Sequence, residues 1–388
     1  VFYFSFQIPD KVRKLIYEMQ YKFVILQHQI MTQIMEDINS CNILKLEQLL
    51  ARSRNTVIVT HMKPDGDAIG SCTALYHFIR QTVGSECRIV LNDRHPAYLD
   101  FLTGSIPGND IIIHEENETE AVRAIAGSEL IICLDFNTFH RTDKLAQSLT
   151  GSKAEKVLID HHLNPDKEKF ALVFSETEIS SASELLYHIL MGTESISGDA
   201  SRLPQATATA LMTGMTTDTN NFANSVYPST LHMASALLAA GTDRNYILDR
   251  LYNQFSENRL RIMGHMMKDL LKITSDGVAY IVLDRQTQEE YRISEGDTEG
   301  FVNMPLSIAS VRMSLLLKES QGHVRVSIRS KKGTSANRCA MLHFNGGGHE
   351  NAAGGRLNIP DDIPSVKEAA EYIERHTHIY LNEDEKNN

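Results

Sequence analysis

The sequence predicts an α/β protein in two parts: an N-terminal domain built on a parallel sheet and a smaller C-terminal α/β domain. Three observations predict it. Short β-branched and aliphatic runs alternate with helical patterns from Asn55 onward. These runs are continuous rather than alternating, which suits strands covered on both faces. After a Leu- and Met-rich helical stretch, Asn258 to Ile273, the pattern changes to strands around two further helices. A chain of 388 residues is long enough for two cores.

Thr56–Thr60 reads as the first strand, with a loop carrying Pro64, Asp65, Gly66 and Asp67 after it. Ala68–Val83 reads as a helix with Ile69, Cys72, Leu75, Tyr76 and Ile79 on one face and Gly84 beyond its end. Strands follow at 88–91, 130–134 and 157–159, the last two ending at Asp135 and Asp160. Helices are expected at 180–190, 206–215, 229–240 and 243–254. In the second domain strands are expected at 277–283, 324–330 and 356–359, with helices at Pro305–Lys318 and Ser335–Phe344. The resulting division is an extension over 1–37, a first domain over 38–254, a helical linker over 255–273 and a second domain over 274–380.

The net charge of -11 argues against a general coat for long duplex nucleic acid, which needs a broad basic surface. It leaves room for a small anionic substrate. The five cysteines form no CxxC and suit a reducing, cytoplasmic setting better than a disulfide framework. No apolar run is long enough to span a membrane, and Asp10, Lys11, Arg13 and Lys14 interrupt any signal-peptide core.

The residues with chemical promise gather at strand ends. His61, Asp65 and Asp67 follow the first strand, Asp135 the 130–134 strand, and Asp160-His161-His162 the 157–159 strand. Asp218 stands where a helix gives way to a turn. Open α/β sheets bind ligands beyond the carboxyl ends of their strands. Carboxylates with imidazoles suit Mn²⁺ or Mg²⁺ better than the thiolate sites that select zinc. Asp65 and Asp67 flank a glycine that allows a tight turn, and His61 is placed to join Asp65 on one ion. Two ions about 3.5–4 Å apart need a shared carboxylate, for which Asp135 is the natural candidate, and a hydroxide between them would be the nucleophile. Each piece has a plainer reading: Asp-Gly-Asp as a turn, Asp135 as a helix cap, the His pair as inert. Their coincidence at the same end of several elements favours the metal centre.

In the second domain, 321–349 contains no Asp or Glu but holds Arg325, Arg329, Lys331, Lys332 and Arg338. Asn345-Gly346-Gly347-Gly348-His349 follows, where bare backbone N–H groups suit a phosphate. A flexible turn is the alternative.

These motifs, in this order, resemble the DHH phosphoesterases: His61-x-x-x-Asp65-Gly66-Asp67-Ala68-Ile69-Gly70-Ser71, Leu134-Asp135, Ile159-Asp160-His161-His162 and Thr217-Asp218-Thr219. The second domain is similar to the DHH-associated C-terminal domain through Arg329-Ser330 and 346–354. Within the family the likeness is to oligoribonucleases of the bifunctional type that also act on 3′-phosphoadenosine 5′-phosphate (pAp). The resemblance implies two Mn²⁺ or Mg²⁺ ions. His61, Asp65 and Asp135 would hold one, and Asp67, Asp135, His161 and Asp218 the other. It implies His162 at the scissile phosphate, Asp160 orienting a histidine, and Arg329, Ser330, Gly346, Gly347, Gly348 and His349 clamping a nucleotide phosphate. The active site would lie in the cleft between the domains. It further implies short 5′-phosphorylated oligonucleotides and pAp as substrates, with no long duplex and no membrane as partner, and a homodimer. Polyphosphate, pyrophosphate, or linear and cyclic dinucleotides are the alternative substrates, and a non-catalytic nucleotide sensor the alternative role. Two departures stand out: Asn220 replaces a frequent Gly, where a left-handed turn is expected to be retained, and Glu350 replaces a frequent Pro, where its charge would weaken phosphate binding.

Overall fold

The structure is a computed structural model that describes residues 38, 40–294 and 296–387. The extension expected over 1–37 lies outside the described residues. The chain divides into two compact units between Leu251 and Tyr252.

The first unit is built on a six-stranded parallel sheet. In chain order its strands are β1 (Thr56–Val59), β2 (Cys87–Leu91), β3 (Ile111–Ile113), β4 (Leu130–Leu134), β5 (Glu155–Asp160) and β6 (Leu172–Ser175). They lie in the order β3-β2-β1-β4-β5-β6. Every residue of β1 and β4 is buried, as two covered faces require. The order reverses between β1 and β4, so the ends of these neighbours splay into the crevice that such a switch point opens. β3 and β6 were not expected. Each is a short edge strand whose three or four residues carry too little pattern to read.

Among the helices of this unit, α1 (Ser40–Arg52) precedes β1, and α2 (Gly66–Phe78) follows it. All thirteen residues of α2 are buried, so the one-faced reading of this helix understates its packing. Its chain continues through Ile79–Val83 to Gly84, which ends the helix as expected, in a left-handed conformation with φ 78°. α3 (Ala182–Met191), α4 (Gln205–Asp218) and α5 (Pro228–Ala239) follow β6. α2 and α4 cross closely at Gly70 and Gly214: a Cβ on Gly70 would come within 2.9 Å of Gly214 Cα. Side chains at either position would push the two helices, and the acids they carry, apart.

The second unit holds β7 (Lys272–Ile273), β8 (Val278–Leu283), β9 (Met313–Ser320), β10 (His323–Ser330), β11 (Gly347–His349) and β12 (Ala352–Asn358), in the order β11-β12-β10-β9-β8-β7. One face carries Val324, Val326, Ile328 and Leu357 against the helices α7 (Ala336–His343) and α8 (Ala369–Asn387). On the other, Ile281, Leu283 and Leu316 meet Ile262 and Met266. The stretch read as a linker, including α6 (Glu257–His265), therefore belongs to this second core.

One expectation is overturned here. Pro305–Lys318 is not a helix: a 3₁₀ segment, Phe301–Ser307, leads into β9. Ser314-Leu315-Leu316-Leu317 is buried on both faces of the sheet, which erases the alternation that marks a strand. A second revision concerns the glycine run. Gly347–His349 is itself an edge strand, antiparallel to β12, rather than a free turn. Among the described residues no helix is long and apolar enough to cross a membrane. Of the five cysteines, all without disulfides, four are buried and Cys41 is exposed.

Candidate metal centre

The crevice at the switch point receives side chains from both its neighbours. His61 follows β1 and is 7 % exposed. Its Nδ1 is 2.8 Å from the carbonyl of Met62, which can only accept, so Nδ1 carries the hydrogen and Nε2 is turned to the crevice. Asp65 caps α2, and its Oδ1 accepts the N–H groups of Asp67 and Ala68 at 3.1 Å each. Such a cap is worth about 0.5–2 kcal/mol. The plain turn reading of Asp65 thus holds. It places the same carboxylate oxygen 3.9 Å from His61 Nε2.

Asp135 follows β4 with a φ of 63°, left-handed for a non-glycine residue. A backbone of this kind stores about 1–3 kcal/mol and persists where its surroundings over-determine it. Here the Asp135 N–H still donates to Ile159 O at 3.1 Å, and Thr60 Oγ1 donates to Leu134 O at 2.9 Å. The turn sets the carboxylate, 3 % exposed, between two imidazoles: Oδ2 is 3.3 Å from His61 Nε2 and Oδ1 is 3.4 Å from His161 Nε2. His161 Nε2 is also 3.5 Å from Asp218 Oδ2, at the last residue of α4. Asp67 reaches the centre from the first turn of α2.

Two of the donor trios that form here, each with atoms within 4.8 Å of one another, are His61, Asp65 and Asp135, and Asp67, Asp135 and His161. They share Asp135. Asp160 stands behind the centre, fully buried, and accepts the Nδ1 hydrogen of His162 at 2.7 Å and the His162 backbone N–H at 3.2 Å.

The electrostatics of the cluster follow from burial and from its own charges. Burial pushes the Asp67 carboxyl well above its usual range, and the charges of Asp135 and Asp218 push it further. Asp218 is raised to about 7, chiefly by burial and against the pull of His161. Burial opposes charge on the histidines too, yet Asp135 and its neighbours outweigh it and raise His61 to about 9 and His161 to about 10. Burial alone would raise Asp135, but its bonds to His161 and His61 hold it well below the carboxylate range. The histidines therefore keep protons where the carboxylates call for positive charge. Oxygen and imidazole donors converging on buried negative charge fit divalent cations.

Sequence reading missed what holds Asp67. Ala182 N–H donates to its Oδ2 at 2.7 Å and Ser183 N–H to its Oδ1 at 2.9 Å, so the N-terminus of α3 grips the carboxylate. Backbone donors leave no trace in residue type. Gly214 was missed also: a Cβ there would lie 2.8 Å from Asp67 Oδ1. A lone glycine inside a helical pattern was the available signal. Asn220 has a φ of 46°, and the turn is kept.

In the second unit, Arg329 stands opposite Ala352 and Ala352 opposite His349 across three neighbouring strands. Ser330 lies on the buried face of β10, where its hydroxyl donates to Thr334 O at 2.6 Å and accepts from Asn351 Nδ2 at 3.0 Å. Gly348 N–H donates to Asn337 Oδ1 at 2.8 Å. Both groups are thus engaged within the protein. The Glu350 carboxylate accepts from Ser335 Oγ at 2.9 Å, at the cap of α7, an anion at a helix N-terminus.

A doubly wound parallel sheet with buried carboxylates and imidazoles at its switch point defines an α/β protein with a centre built for cations. The chain belongs to the DHH family: residues 55–215 match the DHH family N-terminal domain and residues 275–375 the DHHA1 domain. It is 28 % identical over 311 residues to a probable bifunctional oligoribonuclease and PAP phosphatase NrnA of Streptococcus mutans, covering 78 % of this chain and 90 % of that protein. It is 26 % identical over 317 residues to the bifunctional oligoribonuclease and PAP phosphatase NrnA of Bacillus subtilis, covering 80 % and 92 %. The crystal structure of an exopolyphosphatase-related protein from Bacteroides fragilis superposes with a TM-score of 0.81 at 33 % identity, over 89 % of this chain and 98 % of that one.

Proposed function

We propose that this protein is a metal-dependent phosphoesterase that hydrolyses short 5′-phosphorylated oligonucleotides, releasing nucleoside monophosphates, and removes a phosphate from pAp. The observation that carries the chemistry is Asp135, with one carboxylate oxygen turned to His61 and the other to His161. The names of the curated relatives supply the substrate class.

His61, Asp65 and Asp135 would hold one Mn²⁺ or Mg²⁺, and Asp67, Asp135, His161 and Asp218 a second. When bound, such a pair of ions lowers the pKa of water and offsets the charge of a phosphate. The chain's own residues do the rest. Asp160 fixes the ring of His162 so that Nδ1 carries a hydrogen and Nε2 lies on the other side. His162 would then hold a proton for the departing oxygen as water adds to phosphorus and the P–O bond breaks. Arg329 and His349 would bind the substrate's other phosphate, limiting turnover to short molecules, with Ser330 and Asn351 holding the end of β10 in shape. The absence of a spanning helix among the described residues is compatible with a cytoplasmic enzyme.

The test is product release in Mn²⁺ from pAp, a 5′-phosphorylated dinucleotide, pyrophosphate and a long single strand. Preference for the first two supports the reading. Preference for pyrophosphate, or no turnover of any of them, overturns it.

A further inference from the structure

Glu184 belongs to neither donor set, yet it is one of the most deeply buried charges of the first unit, with 0 % exposure. A buried carboxylate is tolerated where hydrogen bonds replace its water. Its Oε2 accepts from Ser180 N–H at 3.1 Å, from Ser180 Oγ, and from Thr230 Oγ1 at 2.7 Å. Its Oε1 faces His188 Nε2 at 3.5 Å, one turn along the same helix. Thr230 Oγ1 in turn accepts from Tyr227 N–H at 3.1 Å, at the start of α5. One side chain therefore ties together the lead-in to α3, α3 itself and α5.

The position of this tie matters. Ser181 caps α3, and its Oγ accepts Glu184 N–H at 3.0 Å. In an ordinary capping box the glutamate three residues on returns to the cap's own N–H. Here it reaches one residue further back, to Ser180. The cap oxygen takes only the Glu184 N–H, which leaves the N–H groups of Ala182 and Ser183, and these grip Asp67 from 115 and 116 residues away. The place where α3 begins thus sets the orientation of the Asp67 carboxylate, and Glu184 sets where α3 begins.

We infer that Glu184 is a positioning residue for the cation site that includes Asp67, acting through the N-terminus of α3. The inference rests on the reading of Asp67 as a metal ligand given above. Outer partners that orient metal ligands typically change affinity by about 10–100-fold when removed.

The experiment compares Mn²⁺ binding by calorimetry in the full chain and its Glu184→Gln, Asp67→Asn and Asp65→Asn variants, each first shown to be folded by circular dichroism. The expected result is that Glu184→Gln weakens the binding step lost in Asp67→Asn by about 10–100-fold and leaves the step lost in Asp65→Asn unchanged. In the metal-free protein the same variant should speed amide hydrogen exchange at Ala182 and Ser183. Thr230→Val, which deletes a single bond to Glu184, replaces Glu184→Gln if the latter does not fold, with the same expectation in smaller degree. A lower melting temperature with both binding steps intact would show a purely structural glutamate and overturn the inference alone. Equal weakening of both steps would overturn it too. Absence of Mn²⁺ binding by the wild type would instead remove the reading of the centre, and the inference with it.

Discussion

Asp160 Oδ1 lies 2.7 Å from Nδ1 of His162, two residues further along the chain, and the same carboxylate accepts the His162 backbone N–H. The pair is a local clamp: the end of β5 supplies the acid, and the tight turn after it returns the imidazole. Asp160→Asn keeps the shape but takes away the negative charge that holds the Nδ1 hydrogen. We expect kcat to fall about 10–100-fold with little change in Mn²⁺ affinity. Steady-state kinetics with a metal titration check this, and an equal loss of metal binding would place Asp160 among the ligands instead.

Asp135 is the shared member of both trios. Asp135→Asn should abolish turnover, because an amide cannot supply two anionic oxygens, while the chain stays folded. Asn also tolerates the φ of 63°. Asp135→Ala should lose turnover equally and be less stable by about 1 kcal/mol, since alanine bears the left-handed strain less well. Thermal melts of the two metal-free variants, beside activity, separate the effects.

Metal binding should release protons. In the metal-free protein His61 is raised to about 9 and His161 to about 10, so both are protonated at neutral pH. A cation that takes their Nε2 lone pairs must displace those protons. Affinity therefore falls as pH falls from 9 to 7, with protons released as the sites fill, and Asp67, also held well above its usual range, adds to the release. Below pH 7 the fall steepens as Asp218, raised to about 7, takes up a proton as well. Calorimetry in buffers of different ionisation enthalpy counts the protons. Affinity independent of pH would mean that these histidines are not ligands.

Arg329→Ala should raise KM for pAp and for a 5′-phosphorylated dinucleotide at least about tenfold, the scale of one charge-assisted contact. It should leave hydrolysis of a small generic phosphodiester unchanged. Equal effects on both substrate classes would mean that Arg329 supports the fold rather than a substrate phosphate.

Gly214→Ala should weaken the centre without replacing any of its side chains. The added methyl would lie 2.0 Å from Ser183 Oγ and 2.8 Å from Asp67 Oδ1, so either α3 or α4 must shift. Overpacking of this kind costs about 1–3 kcal/mol. Melting temperature and Mn²⁺ affinity should fall together, and a variant that is unchanged in both would show that the crossing has slack.

Much of the architecture was legible along the chain. β1, β2, β4 and β5 are apolar runs flanked by polar turns, and His61, Asp135 and His161 follow β1, β4 and β5 closely, because a parallel sheet puts its ligand-facing ends at one edge. Local sequence also determined the turn at Asn220, the start of a helix near Ser335 and the stop at Gly84. It misled at Ser314–Leu317, where burial on both faces of β9 left no period to read, and at Gly347–His349, where edge pairing to β12 made a strand of an apparent loop. Tertiary structure alone decided the rest. The left-handed Asp135, the grip of Ala182 and Ser183 on Asp67, and the contact of Gly70 with Gly214 depend on segments up to about 140 residues apart, and on backbone groups that every residue type shares. Sequence thus names the acids and imidazoles that converge here, because their chemistry resides in side chains. Only packing fixes which donors face one another, because that depends on where helices begin and how closely they cross.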